Sequence, residues 1–218
     1  MAFRPVFTVL PDQRLWTLDN TEFEFFKGFS DAQKRRCIHS LHASYLRKYP
    51  DKKILEISSK SENELGVKLS AFNLTIHTED GKTFSVESAY QAGKVFQYGG
   101  PYTDLLEVSS RAAKKDPRMK NSGSIIGFTF NGEDFPTTPR SLFYDWLYIN
   151  TLHQYPELTE PLMEYDAFTD IVFNPEKSSN CQAQAAAIYV SLRRQNLLEE
   201  ALKSKEAFSK IVYGVCLQ

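Results

Sequence analysis

Cysteine is scarce in this chain. Cys37, Cys181 and Cys216 stand far apart and form no CxxC pair, which excludes a disulfide framework and points to a reducing compartment. Histidine is equally thin: His39, His42, His77 and His153 make no cluster with those cysteines, so no metal site is expected. His39 and His42, an i, i+3 pair, read as neighbours on a helix surface. An excess of charge of one sign is also missing. Lys and Arg number 26 against 27 Asp and Glu, a formal net charge of −1, so no global field draws the chain to nucleic acid or an anionic membrane, and any such contact must be local. No apolar run approaches the ~20 residues of a membrane span. The start, Met1-Ala2-Phe3-Arg4-Pro5, lacks the apolar core of a signal peptide, so the expected location is the cytoplasm. Walker and Rossmann glycine loops, a GxSxG elbow and a Ser-His-Asp order are all absent, which leaves carboxylates, a lysine and aromatics to carry any chemistry.

What is present is an ordinary globular composition, 42% hydrophobic and 13% aromatic over 218 residues, enough for a substantial core. Without repeats or a linker, residues 1–218 read as one α+β domain, predominantly helical with a few short strands. Residues 1–30 have extended, aromatic character. Ser30-Asp31-Ala32-Gln33 is a capping box opening a helix toward Tyr49. Lys34, Arg35 and Arg36 lie in its first turns, where the dipole disfavours cations; a solvated basic surface is the simpler account, tertiary or ligand contact the other. Ile54 to Ile57 reads as a strand, Ser58 to Gly66 as a loop, and Glu79-Asp80-Gly81-Lys82 as a hairpin turn. Asp104 to Lys115 reads as one helix, whose Arg111, Lys114 and Lys115 suit its C-terminal end and could, with Ser109 and Ser110, hold a phosphate. Gly127 to Gly132 is a strand ending in an Asn-Gly turn. Ser141 to Tyr155 is apolar nearly all round, as in a buried helix containing Trp146 as core. Pro156 opens another helix, Thr169 to Phe173 is a strand candidate, and Ser178, Ser179 and Asn180 can cap a long helix.

The most informative stretch is Phe84 to Phe96. As a helix at about 100° per residue it splits into a small-residue face of Ala89, Ala92, Gly93 and Phe96 and a polar stripe of Glu87, Tyr90, Gln91, Lys94 and Tyr98. Ser85 is a plausible N-cap, with Glu87 in the first turn. Two turns, about 10 Å of rise, would separate Glu87 from Lys94, room for a sugar-sized group. A solvated helix face would give the same pattern. Glu87 with Asp170 could form an acid/base pair for glycosidic chemistry, and Lys94 beside aromatics could act as an amine nucleophile on a sugar aldehyde. Residue types alone leave N-glycosidic hydrolysis and a simple binding module both open.

Leu69-Ser70-Ala71-Phe72-Asn73, then Gly81-Lys82-Thr83-Phe84-Ser85-Val86-Glu87 and Tyr90-Gln91-Ala92-Gly93-Lys94-Val95-Phe96, resemble the paired signature of the NADAR family, named for its association with NAD and ADP-ribose. Ser110 to Lys115, the Ile149 to Leu152 and Pro156 to Leu158 stretches, and Asp170 followed by Asn180 resemble its later segments. Arg4-Pro5-Val6-Phe7, Gly28-Phe29-Ser30, Ile38 to His42, Ile54 to Ser58, Gly99 to Tyr102 and Phe143 to Tyr148 resemble the antitoxin branch partnered with DarT-type DNA ADP-ribosyltransferase toxins. Residues 1–50 form an N-terminal extension beyond the general family pattern.

The resemblance implies an N-glycosidic hydrolase without cofactor, metal or membrane, acting on ADP-ribosylated DNA, single-stranded and modified at guanine. It releases ADP-ribose and counteracts a DarT-type toxin. By position it makes Glu87 the acid/base and Lys94 the nucleophile at the anomeric carbon, through a Schiff base that water hydrolyses, with Asp170 in support. Arg111 and Lys114 would hold the pyrophosphate; Ser70, Phe72, Asn73, Tyr90, Gln91 and Asn180 would bind the remaining substrate. The alternatives are a protein that binds the toxin or ADP-ribosyl groups without cleaving them, and a NADAR N-glycosidase acting on a small metabolite.

Overall fold

The computed structural model describes residues 1–176 and 178–217. Along the chain run β1 (Ala2–Val9), β2 (Trp16–Phe23), α1 (Asp31–Lys48), β3 (Ile54–Glu56), α2 (Glu64–Lys68), β4 (Thr75–His77), β5 (Thr83–Ser85), α3 (Val86–Ala92) and β6 (Lys94–Phe96). A 3-10 turn (Thr103–Glu107) leads to α4 (Ser110–Lys115), α5 (Arg118–Asn121), β7 (Ile125–Phe130) and β8 (Glu133–Phe135). The chain continues through α6 (Leu142–His153), α7 (Pro156–Leu162), β9 (Ala167–Thr169), α8 (Gln182–Arg194), α9 (Leu198–Ala201) and α10 (Lys205–Tyr213). The class is α+β and mainly helical, as expected. Contacts group the chain into two compact units, residues 1–70 with 155–218, and residues 71–154.

The first unit is built on a mixed sheet in the order β2-β1-β9-β3, in which β3 and β9 run parallel and the other pairs antiparallel. Val6 and Phe7 are successive residues of β1, face opposite sides of the sheet and are both buried, so both faces are covered. Cys37, Ile38, Leu41 and Tyr45 of α1 pack with Val6 and Phe23. Ser30 caps α1 by accepting the Gln33 N–H at 3.3 Å, as the capping-box reading requires. The alanines of α8, Ala183 and Ala185 to Ala187, are fully buried. Having no side chain beyond Cβ, they let that helix lie close against β1 and β9.

The second unit joins the β4–β5 hairpin to α3, then a three-stranded antiparallel sheet β6-β7-β8 and α6. Asn131 and Gly132 both take positive φ in the β7–β8 turn, the conformation that an Asn-Gly pair tolerates best. The core is aromatic. Phe143 of α6 lies 5.0 Å from both Phe128 and Phe135, with Tyr90 5.9 Å away, contacts that add to the burial of each ring.

Several local expectations are corrected. The helix that opens at Ser85 stops at Ala92, and Lys94–Phe96 is strand. Gly93 is the turning point, because a Cβ there would lie 2.6 Å from the Thr129 carbonyl oxygen and 3.0 Å from the Phe143 ring, so only glycine lets β6 close on β7. Asp104 to Lys115 is broken at Val108 into a 3-10 turn and α4, since Ser109 caps α4 through the Ala112 N–H. Residues 64–66, read as the end of a loop, belong instead to α2, which Asn63 caps by accepting the Leu65 N–H. Cys181, rather than Ser178 to Asn180, is the N-cap of α8, with no side-chain cap bond. The strand expected at Thr169 to Phe173 ends at Thr169, where the Asp170 carboxylate turns the chain by accepting the Val172 and Phe173 N–H groups.

Candidate active site

In the second unit α3 and β6 place their polar groups in one connected chain. Glu87 is buried at 5% exposure, its own N–H donating to the Ala71 carbonyl at 2.9 Å. Gln91, one helical turn on, donates from Nε2 to Glu87 Oε1 at 2.8 Å. Lys94 Nζ donates to Gln91 Oε1 at 2.6 Å. A carboxylate can only accept and an ammonium can only donate, so the two partners fix which way the Gln91 amide points. The carboxylate and the amine expected two helical turns apart are thus tied by two hydrogen bonds through one side chain.

Burial is the main influence on Lys94, pushing its amine down to about 8. Glu87 acts against that shift and Lys114 with it. At pH 7 an amine of that pKa is about one-tenth neutral, against roughly three parts in ten thousand for an ordinary lysine. Lys94 Nζ also sits 4.7 Å from the centre of the Tyr90 ring. That ring packs against both Phe128 and Phe143, at 5.7 and 5.9 Å, with Tyr144 edge-on at 5.3 Å. An aromatic wall packed into the core keeps water from one side of the amine.

Lys114 reaches the same carboxylate from α4, 3.3 Å from Glu87 Oε1, and lies 5.1 Å from the centre of the Phe72 ring. A run of hydroxyls positions it. Ser85 caps α3 by accepting the Ser88 N–H and meets the Ser110 hydroxyl at 2.7 Å, and Ser110 also bonds to the Phe72 carbonyl at 3.2 Å. Ser110 and Lys114 are one turn apart on α4, so the anchor and the cation share a face. Ser109 and Ser110, read as candidate phosphate holders, are instead engaged as cap and tether. Phe72 and Asn73 are exposed beside this group, and Arg111 is exposed on α4 three residues before Lys114. Glu87, Gln91, Lys94, Tyr90, Phe72 and Lys114 are therefore brought together.

Ser70, Asp170 and Asn180 belong to the first unit. Ser70 is buried just after α2. Asp170 is buried, with Oδ1 accepting two backbone N–H groups and Oδ2 accepting Gln182 Nε2 at 3.1 Å. Gln182 also donates to the Ile57 carbonyl at 2.7 Å, locking the loop to β3. Asn180 follows that loop, its N–H on the Ser178 hydroxyl.

A second polar chain, unforeseen, lies beside Asp170. Glu56 is almost wholly buried and accepts from Ser58 and Thr169 hydroxyls, both at 2.6 Å, and from the Ile171 N–H at 2.9 Å. Burial pushes its carboxyl upward, against the pull of those donors. His42 Nε2 meets Thr169 Oγ1 at 2.8 Å. Since that hydroxyl donates to Glu56, it accepts from His42, which places the imidazole proton on Nε2. Burial holds the pKa of this histidine down to about 4, so it is neutral, and the surface-pair reading is corrected. His39 is exposed and pairs with Glu62. The signal for this chain was Glu56 itself, an acid inside the apolar run Ile54-Leu55-Glu56-Ile57.

A cavity of about 900 Å³ opens elsewhere on the second unit, walled by β4–β5, β7–β8 and α6; Trp146 and Asn150 line it, and Glu87, Gln91 and Lys94 do not. Trp146 is therefore half-buried at a cavity wall, 6.5 Å from Phe135, rather than core. Among the described residues no group of His, Cys, Asp and Glu could hold a metal ion, and no helix is long and apolar enough to cross a membrane. A family model described as "DarT1-associated NADAR antitoxin" matches residues 2–217. A search of curated proteins gives no match.

Proposed function

The chain belongs to the NADAR family, in its DarT1-associated antitoxin branch, and from that premise we propose that it is an N-glycosidic hydrolase removing ADP-ribose from guanine bases of DNA. The observation that carries the reading is the Glu87–Gln91–Lys94 chain, a buried carboxylate tied to an amine whose pKa is about 8. Family membership makes the partner a DarT toxin, whose effect this antitoxin counters.

In the proposed reaction the Lys94 ammonium gives up its proton to the Glu87 carboxylate as substrate binds, and the neutral Nζ attacks the anomeric carbon of the distal ribose. The bond from that carbon to the exocyclic nitrogen of guanine breaks, and Glu87 delivers a proton to the departing nitrogen, which would otherwise be a poor leaving group. The lysine-bound sugar opens to a Schiff base. Water adds to it, ADP-ribose departs, and the ammonium and the carboxylate are restored for the next turnover. Lys114 exchanges its contact with Glu87 for the pyrophosphate, assisted by Arg111, which frees the acid as substrate binds. Phe72, Asn73 and Tyr90 shape the pocket; Asp170 keeps the supporting role, and Ser70 and Asn180 the substrate-binding role, that the family resemblance implies.

The test is release of ADP-ribose from a guanine-modified single-stranded oligonucleotide by purified protein. Lys94→Ala and Glu87→Gln should each abolish release with the circular dichroism spectrum unchanged. Turnover at the wild-type rate in both variants would refute the assignment, and a wild type that binds the toxin but cleaves nothing would favour the non-catalytic reading.

A further inference from the structure

The segment between β2 and α1, with the first turns of α1, carries a surface that the reaction at Lys94 does not use. Lys27, Lys34, Arg35 and Arg36 are clustered there, and among the described residues none of them forms an ion pair. Of the nearby acids, Asp31 pairs with Lys60 at 2.7 Å and Glu62 meets the His39 ring, while Glu24 stands among the described residues without an ion pair. Aromatic rings stand among these charges in unusually open positions. Phe29 is 100% exposed and Phe25 40%, and the Arg36 guanidinium lies over Phe26, 4.0 Å from its centre. Gly28, at φ +135°, lets the chain turn between Lys27 and Phe29. A groove of about 710 Å³ runs past Phe26, Arg35 and Arg36, with Glu24, His39 and Glu62 on its walls.

A single exposed phenylalanine is ordinary, but here Phe25, Phe29 and the Arg36-covered Phe26 fall within one short segment, among four cations. Unpaired cations interleaved with open aromatic faces are what single-stranded nucleic acid selects, because bases stack on the rings while the backbone tracks the charges. Double-stranded DNA offers no free base faces, and a lipid surface would leave the groove unused. Glu24 and Glu62 interrupt the cationic track, so the contact spans a few nucleotides.

We propose that this surface binds single-stranded DNA, with Phe29 and the Arg36–Phe26 pair stacking bases and Lys27, Lys34 and Arg35 taking phosphates. It is a substrate-strand contact remote in sequence from the reacting groups. The inference rests on the hydrolase reading only for the strand being the one that carries the modified base; the binding itself stands apart.

Two measurements separate them. Fluorescence anisotropy with an unmodified single-stranded oligonucleotide should show binding whose logarithmic salt slope is about −2 to −3, the value for three to four phosphates on a single strand. Arg35→Glu with Arg36→Glu should remove that binding, and Phe29→Ala should weaken it by about tenfold, the effect of one stacked base. In hydrolysis, the double variant should raise KM about tenfold for a modified oligonucleotide and leave turnover of ADP-ribosylated guanosine unchanged. Oligonucleotide binding and KM unaltered in both variants would overturn the proposal, as would loss of toxin capture with DNA handling intact. A wild type that cleaves neither substrate would sink the hydrolase reading, while anisotropy would still decide this one.

Discussion

Gln91→Glu is the most telling single change, because it replaces one atom in the chain that links acid to amine. The wild-type amide accepts from Lys94 Nζ at 2.6 Å and donates to Glu87 at 2.8 Å. A carboxylate in the same place puts a negative charge against the ammonium, which raises an amine's pKa by about one to three units. The sign follows from which form gains: the charged lysine is favoured, so its proton comes off later. Starting from about 8, the amine would titrate between about 9 and 11. Glu87 opposes the new carboxylate and keeps part of it protonated, trimming the shift toward the lower figure. The neutral fraction at pH 7 then falls from about a tenth to about a hundredth or less, and the rate with it, at least tenfold. Raising the pH to about 10 should restore most of the loss. The assay is kcat/KM for a modified oligonucleotide from pH 6 to 10.5, with a thermal melt at each end. Gln91→Met should move the same limb down, because the charged lysine loses its acceptor. A Gln91→Glu enzyme equally depressed at every pH, with its amine limb still near 8, would refute the reasoning.

Three further changes test the surrounding structure. Lys94→Met should be inactive yet more stable than wild type at pH 7, by up to about 3 kcal/mol in chemical denaturation, since a lysine held at about 8 rather than 10.5 costs stability while charged. That cost is fully present below pH 8 and fades toward 10.5, so wild-type stability should gain on the variant across that window; a gap constant with pH would contradict it. Glu56→Gln should stay within about 1 kcal/mol of wild type, whereas Glu56→Leu, which strands three buried donors, should cost about 3–5 kcal/mol in chemical denaturation. Gly93→Ala should cost at least about 1–3 kcal/mol, because its Cβ meets the Thr129 oxygen at 2.6 Å; a melting temperature unchanged by it would contradict the close approach of β6 and β7.

Much of this was legible because local chemistry sufficed. Ser30 and Ser85 announced their helices, Asn131-Gly132 announced its turn, and the apolar run after Ser141 announced a buried helix. The polar stripe of α3 was also readable, and with it the grouping of Glu87, Gln91 and Lys94. Its geometry was not. A helix drawn on through Lys94 ignores a clash with Thr129, a residue 36 positions beyond Gly93, and nothing local encodes such a contact. Lys114 was visible as a cation, but its contact with Glu87 depends on a serine tether between segments far apart in sequence. Glu56 hid for the same reason: an acid inside a strand has no periodic signature, and its three donors come from β3's own exit, from the last residue of β9 and from the turn after it.

The central claim is that Lys94 bonds covalently to the sugar. Borohydride added during turnover of a guanine-modified oligonucleotide should reduce the Schiff base and leave an ADP-ribosyl adduct on the peptide containing Lys94, absent in Lys94→Ala. Continued turnover with no adduct there, or an adduct on another lysine alone, would contradict it.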